Sequence, residues 1–500
     1  MSRTKFAVYN IFCNIGLQIV IAICGFIVPP LIIYTFGSEI NGLVSTIKQL
    51  MNYFSVVSLG IGAATTAALY KPLSEKNFSK VSSIFSATRI FFNQTGYWFC
   101  TLVIFTAIFL PIFKSGNISK ITIVLLVIIL GLSTFIEYIV TVKYRLLLQA
   151  DQKSYIGARI SAEGSILNAL AIIILVKLGA SIVFVQLIAS GMYLYRLLGL
   201  VYWIRKIFPQ LDKYAKPDFN AISNRWHAFQ YQLPDIIISY TPIIIIAAFC
   251  GYANASIYAV YNTIFAALFM IVGVFSVALA PTFGNIMAQE NKQFLEQNFR
   301  MYDVFYRLIL SICCISAVVL AIPFVSIYIH TNDGINYLLP SVAICFAMRT
   351  FFTAIRTPSV TLINAKGLFK ENKMANIFEA IANIILAIAF VQIWGIAGVL
   401  LAGVLSSAVR SIFYIIFIER KLEKNRIKKS FFMLIFYIFF GIISYLLLSN
   451  FTVSNWWQWF IQAIYRTTII SISLFLFVCC TSFSEVKYGF GKIKTFLIKD

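Results

Sequence analysis

Six cationic side chains fall inside long apolar runs: Lys48, Arg196, Arg349, Arg356, Arg410 and Arg466. Two acids, Glu137 and Asp235, lie clearly within such runs. A charge in an apolar run is costly unless it meets a cavity or a partner, so each of these residues marks a candidate site. The surplus is positive. Guanidinium forks bind phosphate oxygens in pairs, and a low dielectric strengthens the bond. The chemistry these residues suit is therefore capture of an anionic, phosphate-bearing group. Arg349 and Arg356 are seven residues apart and share one face of a helix. Arg349 stands about 12 residues from either end of its run, roughly 18 Å of helix at ~1.5 Å per residue. That is too deep to reach the interface easily. It either lines a path for the anion or forms a buried pair.

Other charged positions have plainer readings beside the functional one. Arg196, Arg410 and Arg466 are near enough to the ends of their runs to snorkel to an interface. Glu163 and Glu379 sit near helix starts, where the helix dipole favours a carboxylate. Asp235 lies in QLPDIIISYTP between Pro234 and Pro242. A carboxylate at a proline-broken helix either binds a coupling proton or cation or pairs with an arginine, and Glu137 has the same two readings.

The elements that must carry these residues are transmembrane helices. The chain has 500 residues, 60% hydrophobic and 12% charged, against roughly 25% charged in soluble domains. The expected fold is an all-α polytopic membrane protein of about 14 spans. The spans are placed near 8–34, 42–69, 86–113, 120–143, 155–176, 180–204, 229–250, 255–284, 301–329, 337–363, 374–393, 396–418, 431–449 and 459–480. The second run, which contains Lys48, Gln49 and Asn52 followed by Gly60, Gly62, Ala63 and Ala64, reads as a helix with a polar wall and a close-packing back. Trp456, Trp457 and Trp459 form an interfacial belt at the outer start of the last span.

Basic residues alternate between loops. The N-terminus and every even-numbered loop are basic, ending in ERKLEKNRIKK, while the odd-numbered loops hold only Lys114, Lys120 and Lys177. The positive-inside rule then puts both termini in the cytoplasm. The formal net charge of +22 is spent on this asymmetry, and no basic stretch interleaves with aromatics as nucleic-acid binding would require. No cleavable signal peptide is expected, because the first run is too long for one. The nine cysteines make no CxxC pair and the two histidines stand alone, so no metal, redox centre or other cofactor is expected.

The chain also repeats. Residues 146–187 and 361–402 share polar positions: Gln149-Ala150 with Asn364-Ala365 and Asn168 with Asn383 at an offset of 215, Arg196 with Arg410 at 214, and Glu163 with Glu379 at 216. The run at 42–69 corresponds to 255–284. That offset spans six helices, an even number, so the halves share an orientation and a pseudo-two-fold axis along the membrane normal is expected. The expected organisation is an N-terminal six-helix lobe at 1–206, a cytoplasmic linker at 207–228, a C-terminal six-helix lobe at 229–419, a basic loop with an extra helix pair at 420–480, and a cytoplasmic tail at 481–500.

The run GSEINGLVSTIKQLMNYFSVVSLGIGAATTAALYKPLSEKN, with the six-plus-six duplication, resembles bacterial polysaccharide flippases of the multidrug/oligosaccharidyl-lipid/polysaccharide exporter superfamily. The resemblance covers most of residues 1–419 and implies export of a lipid-linked oligosaccharide repeat unit, of the O-antigen, capsule or teichoic type, across the bacterial inner membrane. It implies two six-helix lobes around a cavity. Lys48 aligns with a basic cavity residue in the phenylalanine–basic–isoleucine–proline–asparagine motif of lipid II flippases, where this chain reads Ile47-Lys48-Gln49-Leu50, so only the charge carries over. The substrate set expected on this basis is Lys48, Asn52, Arg349, Arg356 and Arg410, with Asp235 and Glu137 for a coupling cation or proton. Partners are the lipid-linked oligosaccharide and membrane lipids, with no nucleic acid, and the chain is expected to be a monomer. A cation-coupled multidrug exporter of the same fold is the alternative. A membrane polysaccharide polymerase or ligase is a third reading, and it lacks the large outer loop and paired carboxylates such an enzyme would use.

Overall fold

The computed structural model describes residues 3–53, 55–112, 116–223, 225–288, 292–365, 369–422 and 427–497. Lys114 and residues 423–426 of the basic loop lie outside them, as do the side chains of His227 and Asn364. Among the described residues the chain is helical with no strand. The helices are α1 (Arg3–Phe36), α2 (Ser38–Asn52), α3 (Ser55–Ser74), α4 (Phe78–Phe109), α5 (Lys120–Phe135), α6 (Val142–Ala150), α7 (Ser154–Lys177), α8 (Ile182–Ile207) and α9 (Arg225–Cys250). They continue with α10 (Tyr252–Ala288), α11 (Lys292–Tyr328), α12 (Pro340–Ile355), α13 (Thr357–Ala365), α14 (Phe369–Leu422), α15 (Ile427–Leu448), α16 (Trp456–Thr481) and α17 (Phe483–Leu497).

Among the described residues, eleven helical stretches are long and apolar enough to cross a membrane. Gly395, at φ 56°, divides α14 into two. With that division, with α2 taken with α3, α5 with α6 and α12 with α13, and with α17 left in the expected tail, the helices correspond to the fourteen expected segments. Two of those segments differ from the expectation of one continuous helix. Helix α2 ends at Asn52 and α3 begins at Ser55. Helix α12 ends before Arg356, because Pro358, in the first turn of α13, has no N–H to continue the helical ladder back to Ala354. Arg349 therefore lies within α12 and Arg356 in the turn that follows it. Helix α9, by contrast, runs unbroken through Pro234 and Pro242.

The repeat is visible in the backbone. Helices α6 and α13 have nine residues each and start 215 positions apart. Gly37 (φ 87°) and Gly251 (φ 89°) each turn the chain into the next helix, and Gly179 (φ 71°) and Gly395 (φ 56°) do the same later in each half. A positive φ is cheap only without a Cβ, so the same residue type recurs at the same turns.

The chain divides into two compact units, Met1–Ala259 with Thr331–Ile335, and Val260–His330 with Asn336–Asp500. In the first, Leu69, Phe85, Leu147 and Leu148 are buried with Phe208 and Ile222 of the expected linker. The linker is not a free strap: Asp218 N donates to Ser83 O at 3.2 Å and Asp212 N to Ser82 Oγ at 3.1 Å, fixing it on α4. Helix α9 also packs in this unit, against α2 and α3. In the second unit the core is centred on α11, where Leu310 and Val319 are buried with Tyr414 of α14 and with Ile470 and Leu474 of α16. Large apolar side chains such as Phe12, Ile435 and Leu447 stay exposed, as a lipid-facing surface requires.

Within the first unit, α2 and the first turn of α10 approach at backbone distance. A Cβ on Gly42 would come 1.7 Å from the Tyr252 carbonyl oxygen. Beside it, Asn41 Nδ2 donates to Ser256 Oγ at 2.6 Å, and these residues stand 215 positions apart, the repeat offset. Asp333 caps the start of α2, its Oδ2 accepting from Ser38 N at 2.6 Å. Gly42→Ala is expected to force this contact apart at a cost of about 1–3 kcal/mol or more. The check is the thermal midpoint of the purified protein in detergent, where Gly16→Ala, with nothing within 4 Å of its added methyl, is expected to leave it unchanged.

Candidate functional site

A large cavity lies in the first unit and holds about 850 Å³. Its shape begins with a local departure from helix geometry. Between α5 and α6 the chain makes a π-helical turn, Ile136–Thr141. The wider turn inserts a residue and rotates the helix beyond it, a distortion that recurs at functional sites. From this turn onward, Tyr138, Val142, Arg145, Leu146 and Gln149 share one face and form a wall of the cavity. The opposing walls come from α1, α3, α7 and α9. Gly62, Ala63, Gly157 and Ala158 open the space, and Thr66, Ser161, Gln232 and Tyr240 give it hydroxyl and amide groups.

Arg145 is the only charged side chain on these walls among the described residues. Its Nη1 donates to Glu137 Oε1 at 2.8 Å, and its side chain remains 36% exposed while Glu137 is nearly covered. Arg196 approaches the same carboxylate from α8, Nη1 lying 3.6 Å from Oε2. Arg196 also donates to Ser165 Oγ at 2.9 Å and lies against Gly164, where a Cβ would meet its Nε at 2.6 Å. One carboxylate thus stands among two guanidinia. It holds Arg145 in one pose while the cluster keeps a net positive charge facing the cavity.

The second unit buries a related cluster. Arg356 Nη1 bonds both oxygens of Glu379, at 3.0 and 2.9 Å, and Arg410 Nη1 bonds Oε2. The Glu379 side chain is 1% exposed, so burial between two arginines, rather than a helix start, accounts for it. Arg196 and Arg410 occupy corresponding positions of the repeat. The carboxylate is supplied by the π-helical turn in one unit and by α14 in the other. This unit also has an apolar groove of about 210 Å³ between α11, α12 and α15, lined by residues such as Val318, Met348, Phe351 and Leu446.

The sequence candidates fall into groups. Glu137 meets Arg145 and Arg196; Arg356 and Arg410 meet Glu379. Lys48 is exposed on α2, at the margin of the buried face of Leu43, Val44, Ile47 and Met51, and among the described residues no side chain pairs with it. Asn52 donates to Gln49 Oε1 at 3.4 Å. Neither lines the large cavity. Arg349 is half-buried against Gly403 of α14. Asp235 is exposed on α9, and its backbone carbonyl accepts from Ser239 Oγ at 2.7 Å. Arg466 donates to the free Leu448 carbonyl at the end of α15 and to Gln462, at 2.9 and 2.7 Å. Arg145 is the residue that sequence reading assigned to a loop. The signal was its position eight residues after Glu137 and ahead of Leu146-Leu147-Leu148, which continues the helix past it.

No protein-family description matches the sequence, and no curated protein matches it. Solved structures match in fold. The lipid II flippase MurJ in an inward closed conformation superposes with a TM-score of 0.68 at 16% identity, covering 95% of this chain and 99% of that one. An inward-facing multidrug resistance MATE family transporter of the MOP superfamily gives 0.66 at 13% identity, covering 84% and 99%. The MATE multidrug transporter DinF-BH gives 0.59 at 15% identity, covering 85% and 96%. The chain therefore has the fold shared by these multi-pass membrane proteins.

The two clusters differ in burial, and that difference is testable. Glu379→Gln leaves two buried guanidinia without a counter-charge and is expected to destabilise by ~3–5 kcal/mol. Arg145→Ala removes a partly exposed member and leaves Glu137 paired with Arg196, so a smaller effect is expected. Thermal midpoints of the two variants in one detergent check the order; equal midpoints would contradict it.

Proposed function

We propose that this chain carries a phosphate-linked oligosaccharide lipid across a bacterial inner membrane by alternating access. The observation that carries the reading is Arg145, the one charge on the described wall of a polar cavity, held in place by a carboxylate whose own charge is more than balanced. A guanidinium so held suits a pyrophosphate, and the surrounding glutamines, tyrosines and hydroxyls suit sugar hydroxyls. A flippase of lipid II and multidrug transporters share the fold. A cavity for cationic drugs would favour carboxylates on its wall, and here the wall is cationic.

In this reading Lys48, Asn52 and Arg349 are further contacts for the head group. Arg356 and Arg410 reach substrate only if Glu379 releases them. Asp235, exposed on α9, and Glu137, engaged by two arginines, are the candidates for a coupling ion. The alternating basic loops put both termini in the cytoplasm. The polymer served is a surface polysaccharide such as an O-antigen, capsule or teichoic-type chain.

Arg145→Ala is expected to stop surface polysaccharide in a strain that depends on this protein, with the variant still present in the membrane at the parent level. Arg145→Lys is expected to keep part of the activity, because the charge remains and the fork is lost. Normal polysaccharide in the Arg145→Ala strain would overturn the role of this cavity.

A further inference from the structure

The face of α6 opposite Arg145 carries a second cation that the transport reading does not use. Lys143 is 7% exposed. Its ammonium has no carboxylate or hydrogen-bond acceptor among the described residues, and its aromatic neighbour is Tyr144, with the ring centroid 5.7 Å away. Lys213, in the docked linker, lies 5.6 Å from the same ring. Arg89 of α4 covers the Tyr214 ring at 4.5 Å, and its buried Nε has no hydrogen-bond partner. Arg205, on the last turn of α8, acts electrostatically on both Tyr144 and Lys213. Burial first, then Arg205 and Arg89, hold the Lys213 ammonium below its ordinary pKa.

The nearby acids are turned to other work. Asp212 Oδ1 accepts from Tyr214 N at 2.8 Å, Asp218 Oδ1 from Ala221 N at 3.2 Å, and Asp151 pairs with Lys153 at 2.7 Å. Four cations from three helices and the linker therefore converge with no counter-ion among the described residues, one of them buried. Orientation by the positive-inside rule asks only for exposed loop cations, so it does not account for Lys143 or for the buried Arg89 Nε. An uncompensated buried ammonium beside like charges is unfavourable, and an anion that joins it removes that cost.

We propose that Lys143, Arg89, Lys213 and Arg205 form a binding site for a phosphate group, separate from the large cavity and independent of the transport reading. Two guanidinium forks and two ammonium groups match the several oxygens of a phosphate monoester or diester. The site lies where helix ends meet the linker, on the side of the basic loops, where basic pockets between spans meet lipid head groups. A bound phosphate would tie the linker to α4 and α6. An anionic phospholipid or free phosphate supplies the same chemistry.

The test is the thermal midpoint of the purified full chain in neutral detergent. It is titrated separately with inorganic phosphate, short-chain phosphatidylglycerol and short-chain phosphatidylcholine. Phosphatidylglycerol is expected to raise the midpoint at about tenfold lower concentration than phosphatidylcholine, with Lys143→Met and Lys213→Gln each shifting that titration about threefold or more to higher concentration. A rise with inorganic phosphate, lost in the same variants, supports the site with free phosphate as its source; a rise with phosphatidylglycerol alone supports it with a lipid source. Lys213→Gln changes a linker residue and decides the matter if Lys143→Met fails to fold. The proposal is overturned if neither phosphate nor phosphatidylglycerol raises the wild-type midpoint selectively, or if Lys213→Gln titrates like the wild type.

Discussion

A charge inside a bilayer-spanning fold must be paid for by a partner, and in this protein the partner is repeatedly one carboxylate set among two guanidinia. Glu137 takes Arg145 and Arg196 in the first unit, and Glu379 takes Arg356 and Arg410 in the second. The arrangement does two things together. It makes buried arginines tolerable, and it leaves each cluster one positive charge in surplus. In the second unit the cluster is closed by burial. In the first, the π-helical turn at Ile136–Thr141 presents one arginine to an open polar cavity, so the surplus charge becomes available to a ligand.

The same turn explains how one short helix serves two faces. Arg145 and Lys143 are two residues apart, so they point to nearly opposite sides of α6. Arg145 meets the cavity; Lys143 meets the docked linker. The cavity wall at one face and the approach to the linker at the other are thereby carried by one element, nine residues long. Helices α6 and α13 coincide at the repeat offset but carry their arginines differently: Arg356, just ahead of α13, is sealed against Glu379, whereas Arg145, inside α6, stays open to the cavity.

Much of the fold was legible in the sequence because the bilayer imposes a strong, simple pattern: long apolar runs separated by loops whose basic residues alternate. The break at Gly395 and the turn at Gly179 follow from glycine, and the break before α13 follows from Pro358. The interruption between α2 and α3 has no such marker in its sequence. The site was less legible. Charge in an apolar run identified Glu137, Arg356 and Arg410 as unusual, but which cation meets which carboxylate depends on helix rotation. The π-helical turn changes that rotation without a composition signal. Arg145 was hidden because its span reads as ending at Lys143, and Glu379 because a carboxylate near a helix start has an adequate local explanation.

The central claim is that the cationic cavity serves an anionic lipid-linked sugar. The most direct measurement reconstitutes the purified chain into phospholipid vesicles loaded with a fluorescent polyprenyl-pyrophosphate oligosaccharide, and follows its exposure to a membrane-impermeant glycosidase added outside. The account predicts that the inner pool becomes accessible at a rate that rises with protein content and is slowed by free inorganic pyrophosphate. An inner pool that stays protected, in vesicles where the same protein moves a cationic dye, would contradict it.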